Sequence, residues 1–131
     1  MSGAHTPPRI LVGDDDIQIC NLVRDVLPGT GYDIDLTQNG RDFLKKYKAS
    51  TYDLLILDAM LLQMSGLEVV TKLRDRGDGV PIILMSVPPK GADRLEPFAF
   101  SYRVDVLRKP FGVDELRTAV NRALKVGKPE V

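Results

Sequence analysis

Three consecutive carboxylates, Asp14, Asp15 and Asp16, follow the short run Arg9-Ile10-Leu11-Val12-Gly13. Such a run reads as a buried strand, and the acids stand where it should end. Adjacent carboxylates repel one another. Two unit charges ~4 Å apart at an effective dielectric near 20 cost roughly 4 kcal/mol. Something positive belongs with the cluster, and hard oxygen ligands favour a small divalent cation such as Mg2+. The competing reading is a solvated loop in which Asp16 caps the next helix. Three more useful groups follow apolar runs further along the chain: Asp58, Ser86 and Lys109.

The elements that must position these groups alternate between strand and helix patterns. Residues 9–13, 33–37, 52–57, 81–85 and 104–108 read as five strands. The run 52–57 is nearly continuously apolar, as a strand buried on both faces should be. Helical spacing runs over 16–27, where Ile17, Cys20, Val23 and Leu27 share a face and Pro28-Gly29 ends the helix. It recurs after Asn39, which caps a helix carrying Phe43, Leu44 and Tyr47, and over 66–76 and 114–125. Strand–helix alternation predicts an α/β domain with a doubly wound five-stranded parallel sheet. Ligands of such sheets bind outside the carboxyl ends of the strands. That rule brings Asp14, Asp15, Asp58, Ser86 and Lys109 to one place.

The bulk numbers limit what that place can serve. A chain of 131 residues suits one domain, and 44% hydrophobic residues give it a real core. Eighteen basic and 18 acidic residues balance, so no global field draws it to nucleic acid or membranes. The single cysteine, Cys20, excludes an internal disulfide and fits a reducing compartment. No apolar run approaches the ~18 residues of a membrane span. Residues 1–8 lack an apolar signal core and read as a flexible tail that includes the one histidine, His5. Residues 127–131 read as a second tail around a domain spanning 9–126.

The chain resembles the receiver domain of two-component response regulators, including the chemotaxis-regulator type. The matching stretches are 10–16, Leu55-Ile56-Leu57-Asp58 with Ser65-Gly66-Leu67-Glu68 behind it, Ile83-Leu84-Met85-Ser86, and Leu107-Arg108-Lys109-Pro110-Phe111. Together they cover about residues 9–125. The resemblance implies a flavodoxin-like (βα)5 fold. It also implies phosphoryl transfer from a histidine kinase or phosphotransfer protein to one aspartate, here Asp58. By the same resemblance Asp15, Asp58 and the main-chain carbonyl of Met60 bind Mg2+ directly, while Asp14 acts mainly through water. Lys109 and the Ser86 hydroxyl meet the phosphoryl group, and Pro110 follows a cis peptide bond. The domain then catalyses only its own phosphorylation and dephosphorylation. The resemblance further implies a cytoplasmic monomer or weak dimer that switches an output protein, without direct nucleic-acid contact.

Several positions depart from the family pattern. Val106 stands where an aromatic residue often swings inward, and Tyr102 or Phe100 is the candidate substitute. The segment after Ser86 holds a bulky Val87, then Pro88-Pro89, and Pro97 should end any fourth helix near Glu96, leaving about two turns. Tyr102 replaces a frequent glycine. The stretch 60–64 predicts an unusually apolar exposed loop. Met60 and Pro88 cannot orient an attacking water, which predicts a slowly self-hydrolysing acyl phosphate. These departures keep open an alternative: a receiver-like interaction module not controlled by phosphorylation. A flavin carrier is disfavoured, because acids after the first strand would repel a nucleotide phosphate.

Overall fold

The computed structural model describes residues 7–27, 31–48, 51–86 and 95–126. Its strands are β1 (Arg9–Gly13), β2 (Asp33–Thr37), β3 (Leu54–Asp58), β4 (Ile82–Ser86) and β5 (Asp105–Arg108). Its helices are α1 (Ile17–Val26), α2 (Gly40–Lys46), α3 (Gly66–Asp75), α4 (Leu95–Tyr102) and α5 (Val113–Val126). All strand pairs are parallel, in the order β2-β1-β3-β4-β5. This is the doubly wound parallel sheet expected from the alternation, in the flavodoxin-like form that the resemblance implied.

The apolar runs are continuous because both faces of the sheet are covered. Strand side chains alternate between faces with a period of two. Leu11, Leu55, Leu57, Ile82 and Leu84 point to one side, where they pack with Phe43 of α2, Val69, Val70 and Leu73 of α3, and Ala99 of α4. Ile10, Val12, Leu54, Ile56, Ile83 and Met85 point to the other, against Val23 of α1 and Leu116, Val120 and Ala123 of α5. A one-residue slip of any central strand would exchange these two sets.

Caps fix where the helices begin. The Asp16 side chain accepts from the Gln18 amide at α1, and Asn39 accepts from Asp42 at α2. Ser65 and Glu68 form a reciprocal capping box at α3. The third and fourth strands end one residue later than their apolar runs suggest, so Asp58 and Ser86 are their last residues.

The fourth helix corrects an expectation. Pro97 does not end a helix near Glu96. Among the described residues α4 runs Leu95–Tyr102, two turns as expected, with Pro97 in its first described turn. A first-turn amide has no intrahelical acceptor, so its loss at proline costs nothing there. Residues Val87 and Pro88-Pro89, the helix end at Pro28-Gly29, most of the N-terminal tail including His5, and the tail 127–131 lie outside the described residues.

Candidate functional site

The sheet order reverses between β1 and β3, which opens a crevice at their carboxyl ends. Asp14 leaves β1 on its lip. Its amide donates to the Thr37 carbonyl at 3.1 Å, which ties it to the end of β2. Its Oδ1 accepts from the Asp16 amide at 2.9 Å, turning the chain back toward α1. The buried Cys20 thiol donates to its carbonyl at 3.3 Å. Asp16 is thereby removed from the cluster and serves as the helix cap.

Asp58 faces Asp14 from the end of β3. Its Oδ1 accepts from the Met60 amide at 3.0 Å, and the Gly66 amide donates to the Ala59 carbonyl at 3.0 Å. The Asp14, Asp15 and Asp58 carboxylates each offer an oxygen lying within 4.8 Å of the others. Lys109 arrives after β5, its amide bonded to the Ser86 carbonyl at 2.8 Å. Its Nζ reaches Asp14 Oδ2 at 2.7 Å and Asp58 Oδ2 at 3.1 Å. The peptide bond between Lys109 and Pro110 is cis.

Burial and charge act in opposition here. Burial alone would lower the Lys109 ammonium's pKa, but its hydrogen bonds to Asp14 and Asp58 together prevail and raise it. The Asp14 carboxyl is raised mainly by its own burial, against the hydrogen bonds from Lys109 and the Asp16 amide. Three carboxylates face one ammonium, so the site keeps an excess of negative charge. Clustered hard oxygen donors with a surplus of negative charge fit a divalent cation such as Mg2+.

The structure therefore brings together Asp14, Asp15, Asp58 and Lys109. Ser86 joins through its main chain at the neighbouring strand end. Met60 joins through its amide, and its side chain is 73% exposed. The apolar loop is exposed only in part: Leu62 faces solvent, while Leu61 is buried in the core. Val106 is partly buried against the α2–α3–α4 side of the sheet. Neither suggested substitute takes a visible role at the site. Phe100 is 88% exposed, and the Tyr102 ring packs on Phe98 with centroids 4.6 Å apart.

Two residues that the sequence reading placed without a role support the site. Thr37 is buried beside Asp14 at the tip of an edge strand whose other residues keep solvent contact, and its hydroxyl lies 3.5 Å from the Val12 carbonyl. Gly66 opens α3, and a Cβ there would meet the Asp58 carbonyl oxygen at 2.2 Å. A glycine directly after a capping serine was its signal.

The model of the response regulator receiver domain family matches residues 10–121. Response regulator MprA of Mycolicibacterium vanbaalenii is 33% identical over 124 residues, which are 95% of this chain and 53% of that protein. MprA of Mycobacterium tuberculosis H37Rv is 34% identical over 122 residues, 93% of this chain and 53% of the relative. The chain thus spans about half the length of the curated relatives it matches. The receiver domain of a Francisella response regulator is similar in structure, with a TM-score of 0.81, 27% identity and coverage of 91% of this chain and 98% of that one. Chemotaxis response regulator CheY4 of Vibrio cholerae has a TM-score of 0.79 and 25% identity, covering 91% of this chain and 100% of its own. Among the described residues no helix is long and apolar enough to cross a membrane.

Proposed function

Because this chain belongs to the response regulator receiver-domain family of two-component systems, we propose that it accepts a phosphoryl group on Asp58 and changes its affinity for a partner in response. The observation that carries this reading is Lys109 Nζ spanning Asp14 and Asp58, with Asp15 completing the acidic cluster at the sheet's switch point. The donor is a phosphohistidine of a kinase or phosphotransfer protein. An Asp58 carboxylate oxygen forms the new P–O bond as the P–N bond to the donor imidazole breaks. The freed nitrogen keeps that electron pair and takes up a proton.

Positioning and electrostatics do most of the work in such a transfer. The Met60 amide holds Asp58 Oδ1 and leaves Oδ2 toward Lys109. Once Asp58 carries the phosphoryl group as an acyl phosphate, the ammonium is positioned to follow the charge to the phosphoryl oxygens. Ser86, beside them at the end of β4, offers a hydroxyl donor. Asp14, Asp15, Asp58 and the Met60 carbonyl are the groups that would hold Mg2+, which when bound offsets charge on the phosphoryl oxygens. The domain acts on itself alone, in the cytoplasm, and its output partner is a protein.

Incubation with acetyl phosphate and Mg2+ should add the mass of one phosphoryl group, and Asp58→Asn should abolish the addition. A wild type that neither reacts nor binds Mg2+ would instead favour an interaction module not controlled by phosphorylation. Val106, which removes the usual inward aromatic, is the observation on that side.

A further inference from the structure

Helices α3 and α4 end in the same way. At α3 the Asp78 amide donates to the Leu73 carbonyl at 3.0 Å and the Gly77 amide to Arg74 at 2.9 Å, with Gly77 at φ +79. At α4 the Val104 amide donates to Ala99 at 3.0 Å and the Arg103 amide to Phe100 at 3.4 Å, with Arg103 at φ +56. Both are Schellman turns, and each leaves its last carbonyls in need of donors.

One side chain supplies donors to the end of α4 and to the loop that follows α3. Arg74 Nε donates to the Tyr102 carbonyl at 2.7 Å and its NH2 to the Arg103 carbonyl at 3.1 Å. Its NH1 donates to the Asp78 and Val80 carbonyls, each at 2.8 Å. The guanidinium is partly buried, and its charge complements the negative ends of two helix dipoles. Among the described residues the first turn of α4 is tied differently. Glu96 pairs with Arg108 of β5 at 3.5 Å, with both side chains well exposed, and Leu95 and Phe98 are only partly buried. An exposed ion pair holds weakly.

We propose that Arg74 pins the carboxyl end of α4 to the α3–β4 turn, so that movement of α4 occurs about that end and is expressed at Leu95 to Phe98. Through Glu96 that turn is tied to Arg108, the residue before Lys109. The pin itself stands on geometry alone, and only its use in switching rests on the phosphoacceptor reading. Four carbonyls on one guanidinium tie the end of α4 to the loop after α3.

Amide hydrogen exchange on the full chain tests this. In the wild type, Val104 should exchange no faster than the core amides of Leu55 and Ile56. In Arg74→Lys, which keeps the charge but loses the fork, exchange at Arg103 and Val104 should rise ~10-fold while Leu55 and Ile56 stay unchanged. A Val104 amide that opens well before the core in the wild type overturns the pin, and so does a variant effect no larger at the turn than in the core. Beryllofluoride with Mg2+ should then shift Leu95, Glu96 and Phe98 more than Arg103 and Val104. Equal shifts along α4 also overturn the proposal. Absence of any shift at Ala59 and Met60 would count against the phosphoacceptor reading instead, and the exchange of Val104 would still decide the pin. Should Arg74→Lys not fold, the two wild-type measurements carry the decision.

Discussion

Gly66 lies against Asp58 so closely that a Cβ on Gly66 would stand 2.2 Å from the Asp58 carbonyl oxygen. The start of α3 and the end of β3 therefore share one space, and the Asp58 backbone is set by the helix packed against it. Gly66→Ala must push one of them away. Overpacking of this kind costs about 1–3 kcal/mol. The urea midpoint of the variant should fall accordingly, and its Mg2+ affinity, read by calorimetry, should fall with it. Loss of stability with unchanged Mg2+ affinity would mean that α3 yields and Asp58 stays.

Lys109 neutralises part of an acidic cluster whose Asp14 member is fully buried. Lys109→Met leaves Asp14 and Asp58 facing each other without their shared cation. Breaking a buried pair costs about 3–5 kcal/mol; Asp58 and Lys109 keep some solvent contact, so the lower end applies. Mg2+ should restore much of the loss in this variant, and its stabilising effect should exceed that in the wild type, where the ammonium competes. At a hundredfold excess over its Kd, a ligand specific to the folded state adds about 2.7 kcal/mol. Denaturation curves with and without Mg2+ measure both quantities, and Asp15→Asn should remove the Mg2+ response. A Lys109→Met protein as stable as the wild type in metal-free buffer would contradict the geometry of the site.

The acidic site was legible because its logic is local. Each group follows an apolar run, and strand ends in a parallel sheet converge without further information. Asp16 was separable from Asp14 and Asp15 because helix capping has its own sequence pattern. What stayed hidden works through main-chain atoms, which every residue has. Nothing in the sequence marks Arg74 as the donor to carbonyls 28 and 29 residues away. Pro97 misled for a related reason. Proline is excluded from helix interiors but welcome in a first turn, and the pattern alone does not say which turn it occupies.

Tyr47 and Tyr52 donate to Asp78 and Asp35. Burial first, then the hydrogen bond to a carboxylate, raises both phenols from the usual 10.0, Tyr52 to about 12. The folded state thus holds these protons more tightly than the unfolded chain. Their stabilisation is whole below ~pH 10 and is lost as pH rises through the folded values. The urea midpoint should therefore drop between ~pH 10 and ~pH 12, and Tyr52→Phe should flatten part of that drop, since phenylalanine has no proton to lose. A wild-type midpoint that stays level across this interval would show that the phenols are neither buried nor bonded to the carboxylates in solution.

The two Schellman turns differ in one residue that matters. α3 closes with Gly77 at φ +79, where glycine meets no steric cost, while α4 closes with Arg103 at φ +56. An L-residue in the left-handed region costs roughly 1–2 kcal/mol relative to its right-handed form. Arg103 also lies near the partly buried Arg74, and their like charges oppose each other. Arg103→Gly removes the side chain and its charge but keeps the carbonyl that Arg74 binds. Glycine's larger unfolded entropy offsets part of the gain. The balance should favour the variant by about 0.5–1 kcal/mol, read as a higher urea midpoint with an unchanged slope. If the Arg103 side chain instead holds α4 through contacts of its own, the midpoint will fall.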